Sequence, residues 1–242
     1  ISDNKQHVCF AFAFWNHRDH ILKERFFGLT GSESNHGEDV KEIYFYQDST
    51  PTHSYQKMLY KYPQGAFPYA KLVEESKKRS RLEPEYELLD TGIFDKDAYF
   101  DISIEYAKAD EQDLLIKVTV ENRSKLAAPI TVLPTIWFRN TWCWGYDNYK
   151  HKPILTGIGN SLIEVNHKLV GRYKLYAEHA DEFLFCDNET NFERLYDSPN
   201  LTPYTKDGIN DYIVNKRKDA VNPNHIGTKA SVKYNAIIPA NG

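Results

Sequence analysis

"AYFDISIEYAKADEQDLLIKVTVE", residues 98–121, holds two runs in which apolar and polar side chains alternate. In the first run Phe100, Ile102, Ile104 and Tyr106 share one face, and Tyr99, Asp101, Ser103 and Glu105 share the other. In the second, Leu114, Ile116, Val118 and Val120 oppose Leu115, Lys117, Thr119 and Glu121. A period of two marks a strand with one buried face, and two such runs beside a short polar link predict an antiparallel hairpin. The link is expected at "AKADEQ", residues 107–112.

Working outward, the same pattern predicts a strand over 130–138. Further strands are expected at 7–15, 20–27, 41–48, 54–61, 85–93, 161–167, 171–178, 182–187 and 231–238. Helical periodicity is confined to a short segment, 70–81. Many strands, polar turns and little helix indicate an all-β, antiparallel sandwich or barrel with long loops. No repeat or Gly/Ser linker interrupts the chain, so one domain over residues 1–242 is expected. Residues 188–230 are the irregular part, with Pro199, Pro203, Pro223 and the turn signal Asp207-Gly208. A long ordered loop on a sandwich is a common place for binding.

Composition agrees with that class. The 17 Tyr, 13 Phe and 4 Trp favour pleated strands and also offer flat faces to sugars. A chain of 242 residues buries enough surface to fold without disulfides. A net charge of −4 argues against a nucleic-acid partner, which needs a concentrated basic surface. The basic run Lys77-Lys78-Arg79-Ser80-Arg81 is flanked by Glu74, Glu75, Glu83 and Glu85, and reads as a solvated face. Three scattered cysteines, Cys9, Cys143 and Cys186, suit reduced thiols in the cytoplasm. No apolar run reaches the roughly 20 residues of a membrane helix, and no signal-peptide pattern is present. Three glycosylation sequons begin at Asn122, Asn188 and Asn200, but so short a motif recurs by chance. Residue 1 is Ile and the only methionine is Met58, so a piece of a longer chain is expected.

No nucleophile elbow, zinc-type cysteine pairing, HExxH or phosphate loop occurs, and Gly157-Ile-Gly159 lacks the third glycine of a dinucleotide loop. Four clusters remain. "GSESNHGEDV" (31–40) places His36, Glu38 and Asp39 in a glycine-bounded loop. A His/Glu pair can do acid–base work, but two ligands are too few for a metal, and Asp and Asn beside glycine also form ordinary turns. "QDSTPTHSY" (47–55) offers Asp48 in a turn-forming context, then His53 and Tyr55. If extended, His53 and Tyr55 point the same way, as a sugar-facing or a cross-strand pair. "TIWFRNTWCWG" (135–145) holds Arg139, Trp142 and Trp144. If extended, Phe138, Asn140, Trp142 and Trp144 share a face, read either as core and domain interface or as a sugar surface. "TKDGINDY" (205–212) gathers Lys206, Asp207, Asn210 and Asp211 about one glycine, more hydrogen-bonding groups than a turn requires.

Longer segments carry a resemblance. "LKERFFGLTGSESNHGEDVKEIYFYQDSTPTHSYQKMLYKYPQGAFPY" (22–69), "EYELLDTGIFDKDAYFDISIEYAKA" (85–109), "LPTIWFRNTWCWG" (133–145) and "YTKDGINDYIVN" (204–215), with "DAVNP" and "GTKA" after it, span nearly the whole chain. They resemble the amino-terminal part of large bacterial proteins related to glycoside hydrolase family 63, which includes processing α-glucosidases. The resemblance implies an amino-terminal β super-sandwich followed by an (α/α)6 barrel that carries two carboxylates in the inverting arrangement. It therefore implies a fragment without the extreme amino terminus or the barrel, inactive by itself, with no catalytic residue to carry over. No cofactor or metal is implied. The implied partners are the barrel of the same chain and a carbohydrate substrate, with the polar loops possible contributors to the sugar pocket. Two other classes stay open: a stand-alone aldose mutarotase-like enzyme or carbohydrate-binding module, with His53 and a nearby acid as the pair, and a purely structural cover.

Overall fold

Strands dominate the chain, and they pair antiparallel. A computed structural model describes residues 1–29, 39–147 and 150–242. The strands are β1 (Val8–Trp15), β2 (Ile43–Ser49), β3 (Tyr55–Pro63), β4 (Tyr99–Asp110), β5 (Asp113–Asn122), β6 (Ala128–Phe138), β7 (Ile154–Ile158), β8 (Leu162–His167), β9 (Gly171–Tyr176), β10 (Glu182–Cys186), β11 (Ile226–Gly227) and β12 (Lys229–Ile238). Among the described residues three helices, α1 (Tyr69–Lys78), α2 (Phe192–Tyr196) and α3 (Gly208–Ile213), are short. The strands form three four-stranded sheets, β1-β6-β12-β10, β11-β7-β8-β9 and β2-β3-β4-β5. The fold is an all-β antiparallel sandwich.

The opening hairpin is β4–β5. Phe100, Ile102 and Ile104 lie opposite Asn122, Val120 and Val118, so the apolar faces of the two runs coincide. The link is shorter than the sequence suggests. β4 continues to Asp110 and β5 begins at Asp113, because Ala107 and Lys108 keep pairing with Leu115 and Leu114. Asp101 ties the opposite face together, accepting from Lys61 Nζ and Arg123 Nε, each at 2.6 Å.

Two expected strands are not strands. Around 20–27 only isolated bridges form, Phe14 with Lys23 and Gly28 with Val40. The Leu22 N–H goes to Asn210 Oδ1 at 3.0 Å, so a side chain takes a donor that a sheet would need. Over 85–93 the chain makes a 3-10 turn, Leu89–Thr91, closed by Gly92 at φ +75°. Asp90 Oδ2 accepts from the Glu87 N–H at 2.8 Å, local bonding that competes with extension. The strand β7 and the two-residue β11 were not expected from alternation.

The described contacts fall into two compact units. The first comprises Ile1–Trp15, His20–Glu24 and Thr131–Asn235, and holds the sheets β1-β6-β12-β10 and β11-β7-β8-β9. Inside it, Phe138 of β6 packs its ring 5.5 Å from that of His167 of β8. The Phe185 ring of β10 lies so close to Gly157 of β7 that a Cβ there would sit 3.1 Å from it. Trp15, Leu22, Leu133, Leu184, Cys186, Ile209 and Ile213 form one core cluster. The second unit comprises Asn16–Asp19, Arg25–Ile130 and Ala236–Gly242, with the sheet β2-β3-β4-β5. Its helix α1 buries Leu72 among Leu29, Phe67, Tyr86 and Leu88. The helix ends at Arg79, which is extended, inside the expected limit of residue 81. The chain passes between the units five times, and two of these passages, at Ile130–Thr131 and Asn235–Ala236, fall within strands, β6 and β12, where no linker composition marks them.

Candidate functional site

Beyond Phe138 the alternation in "TIWFRNTWCWG" stops, because β6 ends and Trp142–Trp144 form a 3-10 turn. The extended reading of this segment is thus corrected: Phe138, Asn140, Trp142 and Trp144 do not share a strand face. Two contacts set the turn. Asn188 Nδ2 donates to Phe138 O at 2.8 Å, ending the strand, and Gly145 leaves the turn at φ +77°. The Trp142 indole then points to Glu189, donating from Nε1 to Oε1 at 2.6 Å. Asn140 Nδ2 donates to Glu189 Oε2 and to Asn188 O, each at 2.9 Å.

Glu189 is the buried centre of this arrangement, and nothing in its local sequence marks it. Lys152 Nζ lies 3.6 Å from Glu189 Oε1 and 3.2 Å from Asp187 Oδ2, and 5.9 Å from the Trp142 ring centre. Two further aromatics of this segment are exposed. Trp144 is 44% exposed and Tyr146 65% exposed, and the Arg139 guanidinium sits 5.0 Å from the Trp144 ring centre. Exposed aromatic rings with cationic and amide neighbours are suited to the C–H faces and hydroxyls of a sugar.

The segment that supplies Glu189 also holds the DGIND turn. Lys206 N–H donates to Glu189 O at 2.9 Å, and Lys206 O accepts from Lys229 Nζ at 2.9 Å. Lys229 is buried. Burial works against its charge, but Glu24, which accepts from Nζ at 2.7 Å, helps to hold its pKa above the usual value. Asp207 accepts from Thr205 Oγ1 at 2.6 Å, from Asn191 Nδ2 at 3.1 Å and from Arg194 Nη1 at 3.1 Å. Burial pushes its carboxyl up, but these bonds outweigh it and hold the pKa below the usual range. Asn210 Oδ1 takes the Leu22 N–H. Asp207 and Asn210 therefore bind the loop to itself and to the core.

Beside them a cleft of about 490 Å3 opens between α2, α3 and the 3-10 turn Lys218–Ala220. Its walls include Asn191, Glu193, Asn200, Thr202, Asp211 and Arg217. Gly208 makes it possible: a Cβ there would lie 2.2 Å from Ala220 O, so only glycine lets α3 approach that turn. The signal for the cleft in the sequence is the density of Asn, Asp and Thr over residues 187–222, which reads there only as an irregular loop.

The other expected residues lie in the second unit or outside the described residues. His36 and Glu38 belong to the latter. Asp48 is an exposed residue of β2, opposite Lys57 and just past a bulge at Tyr46. His53 is not extended. It sits at φ +52°, so it does not form a side-by-side pair with Tyr55. Its Nδ1 lies 3.3 Å from Gln56 Nε2. Tyr55 donates to Glu105 Oε1 at 2.6 Å, which pushes its phenol up. Asp39 joins Glu85 and Glu87 in a carboxylate triad with metal-like spacing. The ammonium of Lys41 already sits within it, at 3.0 Å from Asp39 and 2.8 Å from each glutamate. Burial opposes the Lys41 charge and the three carboxylates outweigh it, raising the pKa.

Two sequence features are settled by burial. Asn122 is 1% exposed and its Nδ2 donates to Leu126 O, Ile238 O and Pro239 O, so its sequon is closed to modification. Among the described residues Cys9, Cys143 and Cys186 are all free thiols, and burial pushes the Cys186 thiol up to about 12. No helix among the described residues is long and apolar enough to cross a membrane.

No family model matches the chain, and no solved structure matches it. It is similar to YMR196W, an uncharacterised protein of Saccharomyces cerevisiae, with 41% identity over 268 aligned residues covering 97% of this chain. The match covers 25% of the yeast protein, so the chain spans about a quarter of the length of that curated relative.

Proposed function

We propose that this chain is the non-catalytic sandwich portion of a longer glycoside hydrolase resembling family 63, and that its Arg139–Tyr146 turn contributes an aromatic surface to carbohydrate binding. The observation that carries the reading is the Trp142 indole anchored on buried Glu189, with Trp144 and Tyr146 exposed beside it. Exposed aromatic rings can stack on the C–H face of a sugar, and Glu189 fixes the orientation of Trp142 at the expense of burying a carboxylate. The all-β fold agrees with the sandwich that the resemblance implies. The yeast relative extends far beyond the matched region, which leaves room in a protein of that kind for a separate catalytic domain. The free thiols fit a reducing compartment, the cytoplasm.

The test is hydrolysis of a panel of α-glucosides by the full-length protein, with the anomer released followed by proton NMR, and the same kinetics for Trp144→Ala. The expected result is hydrolysis with inversion and a KM raised about tenfold in the variant, with kcat changed less, as loss of one stacking contact predicts. No hydrolysis of any glucoside, or a variant with unchanged KM, contradicts the reading.

A further inference from the structure

We infer that the cleft between α2, α3 and Lys218–Ala220 is a binding site for a neutral, hydroxyl-rich small molecule, a sugar or polyol, distinct from the aromatic turn. At about 490 Å3 it has the size of a small-molecule site.

Its ion pairing disfavours an anion. Glu193, Asp211 and Asp219 line it against one guanidinium, Arg217. That guanidinium is already committed, with Nη1 3.2 Å from Asp211 Oδ2 and Nη2 3.4 Å from Asp219 Oδ2. A phosphate or carboxylate would therefore find no uncommitted ammonium or guanidinium among these walls. A cation is also a poor fit, because it needs an unpaired, desolvated carboxylate. Asp211 is paired, and Glu193 and Asp219 are exposed, where solvent and salt screen them.

The polar walls favour a ligand that donates. Asn191 Nδ2 is turned to Asp207, Asn200 Nδ2 to Asn191 Oδ1 at 3.2 Å, and Thr205 Oγ1 to Asp207 Oδ1. Asp211 Oδ1 is fixed by Asn215 Nδ2 at 2.9 Å. These bonds occupy amide and hydroxyl donors and hold the walls in place, while a carboxylate offers about four acceptor sites, more than these bonds fill. A molecule complementary to fixed acceptors, without negative charge, presents several hydroxyl groups. Preorganised walls of this kind lower the ordering cost of binding it.

The test is hydrogen–deuterium exchange of the full-length protein, read on peptides covering residues 191–205 and 208–220. Probes are D-glucose, D-mannose and glycerol, with inorganic phosphate and ethanolamine as an anion and a cation. The expected result is saturable protection of both peptides by at least one neutral probe and by neither charged one. Asp219→Ala and Thr202→Ala, at an exposed and a half-buried wall position, are expected to weaken that protection by about two- to tenfold, the loss of one hydrogen bond. No protection by any neutral probe, protection by phosphate or ethanolamine, or protection unchanged in both variants overturns the inference. Failure here leaves the hydrolysis and Trp144→Ala results untouched, so the two readings fall separately.

Discussion

The Trp142 indole N–H donates to Glu189 Oε1 at 2.6 Å, and Glu189 is 6% exposed. A carboxylate so buried is held by its donors, and here they are Trp142, Asn140 and the half-exposed Lys152. Glu189→Ala is expected to leave the Trp142 and Asn140 donors unsatisfied and to cost about 1–3 kcal/mol in urea unfolding. Glu189→Gln keeps one acceptor but opposes an amide donor to Asn140, and should cost less. Both variants should lose part of the near-ultraviolet dichroism of the tryptophans. An unchanged spectrum in Glu189→Ala would show that the indole is held by packing alone.

Gly208 and Gly145 are glycines for different reasons. A Cβ at Gly208 would meet Ala220 O at 2.2 Å, whereas at Gly145 it meets nothing within 4 Å but the backbone lies at φ +77°. Gly208→Ala is expected to cost about 1–3 kcal/mol through forced displacement of the Lys218–Ala220 turn. Gly145→Ala should cost about 1–2 kcal/mol through backbone strain alone. Exchange rates separate them: Gly208→Ala should loosen residues 208–221, and Gly145→Ala should leave that segment protected as before.

The turn between β2 and β3 is built on Thr50, not on His53. Thr50 Oγ1 accepts from the Ser54 N–H at 2.9 Å and the Tyr55 N–H at 3.1 Å. Thr50→Ala is expected to destabilise by about 0.5–1.5 kcal/mol. His53 at φ +52° carries strain that glycine removes, so His53→Gly should be neutral or stabilising by up to about 1 kcal/mol. Thermal unfolding of the two variants checks the order. A His53→Gly protein less stable than Thr50→Ala would give the imidazole a structural role beyond its contact with Gln56.

What could be read from the sequence was what repeats along it. Alternation in 98–121 identified β4, β5 and their shared apolar face, because a period of two follows directly from the pleat. It failed at 85–93, where the apolar residues Tyr86 and Leu88 are buried by a turn that local side-chain bonds shape. It failed again past Phe138, where the strand ends because Asn188, distant in sequence, takes its carbonyl. Trp142 was visible as an aromatic, but Glu189 was not visible as its partner. Nothing local in Asp187-Asn188-Glu189-Thr190 encodes a contact across 47 residues. The cleft is hidden for the same reason, since its walls come from α2, α3 and a turn that meet only because Gly208 lacks a side chain.

His167 closes β8 with a neutral ring. Its Nδ1 accepts the N–H groups of Leu169 at 3.2 Å and Val170 at 3.3 Å, which requires that nitrogen to be unprotonated. Burial lowers its pKa, the neighbouring His7 and His151 lower it further, and Asp3 opposes them. The His7 ring lies 5.1 Å away and the Phe138 ring 5.5 Å away, so little water reaches the imidazole. A histidine held below its unfolded value of about 6.5 contributes stability that is intact above that pH. Between the two values the unfolded chain binds a proton that the folded chain does not. Stability is therefore lost as pH falls through the lowered folded value. His167→Asn places an amide oxygen near Nδ1 and cannot titrate, so it should carry a constant offset and lack this slope. Urea unfolding of both proteins from about pH 7.5 to 5 is expected to show the wild type losing ground to the variant as pH falls below about 6.5. A difference that stays flat over that range would mean that His167 titrates alike in the folded and unfolded chain, and that protonated Nδ1 is tolerated at the end of β8.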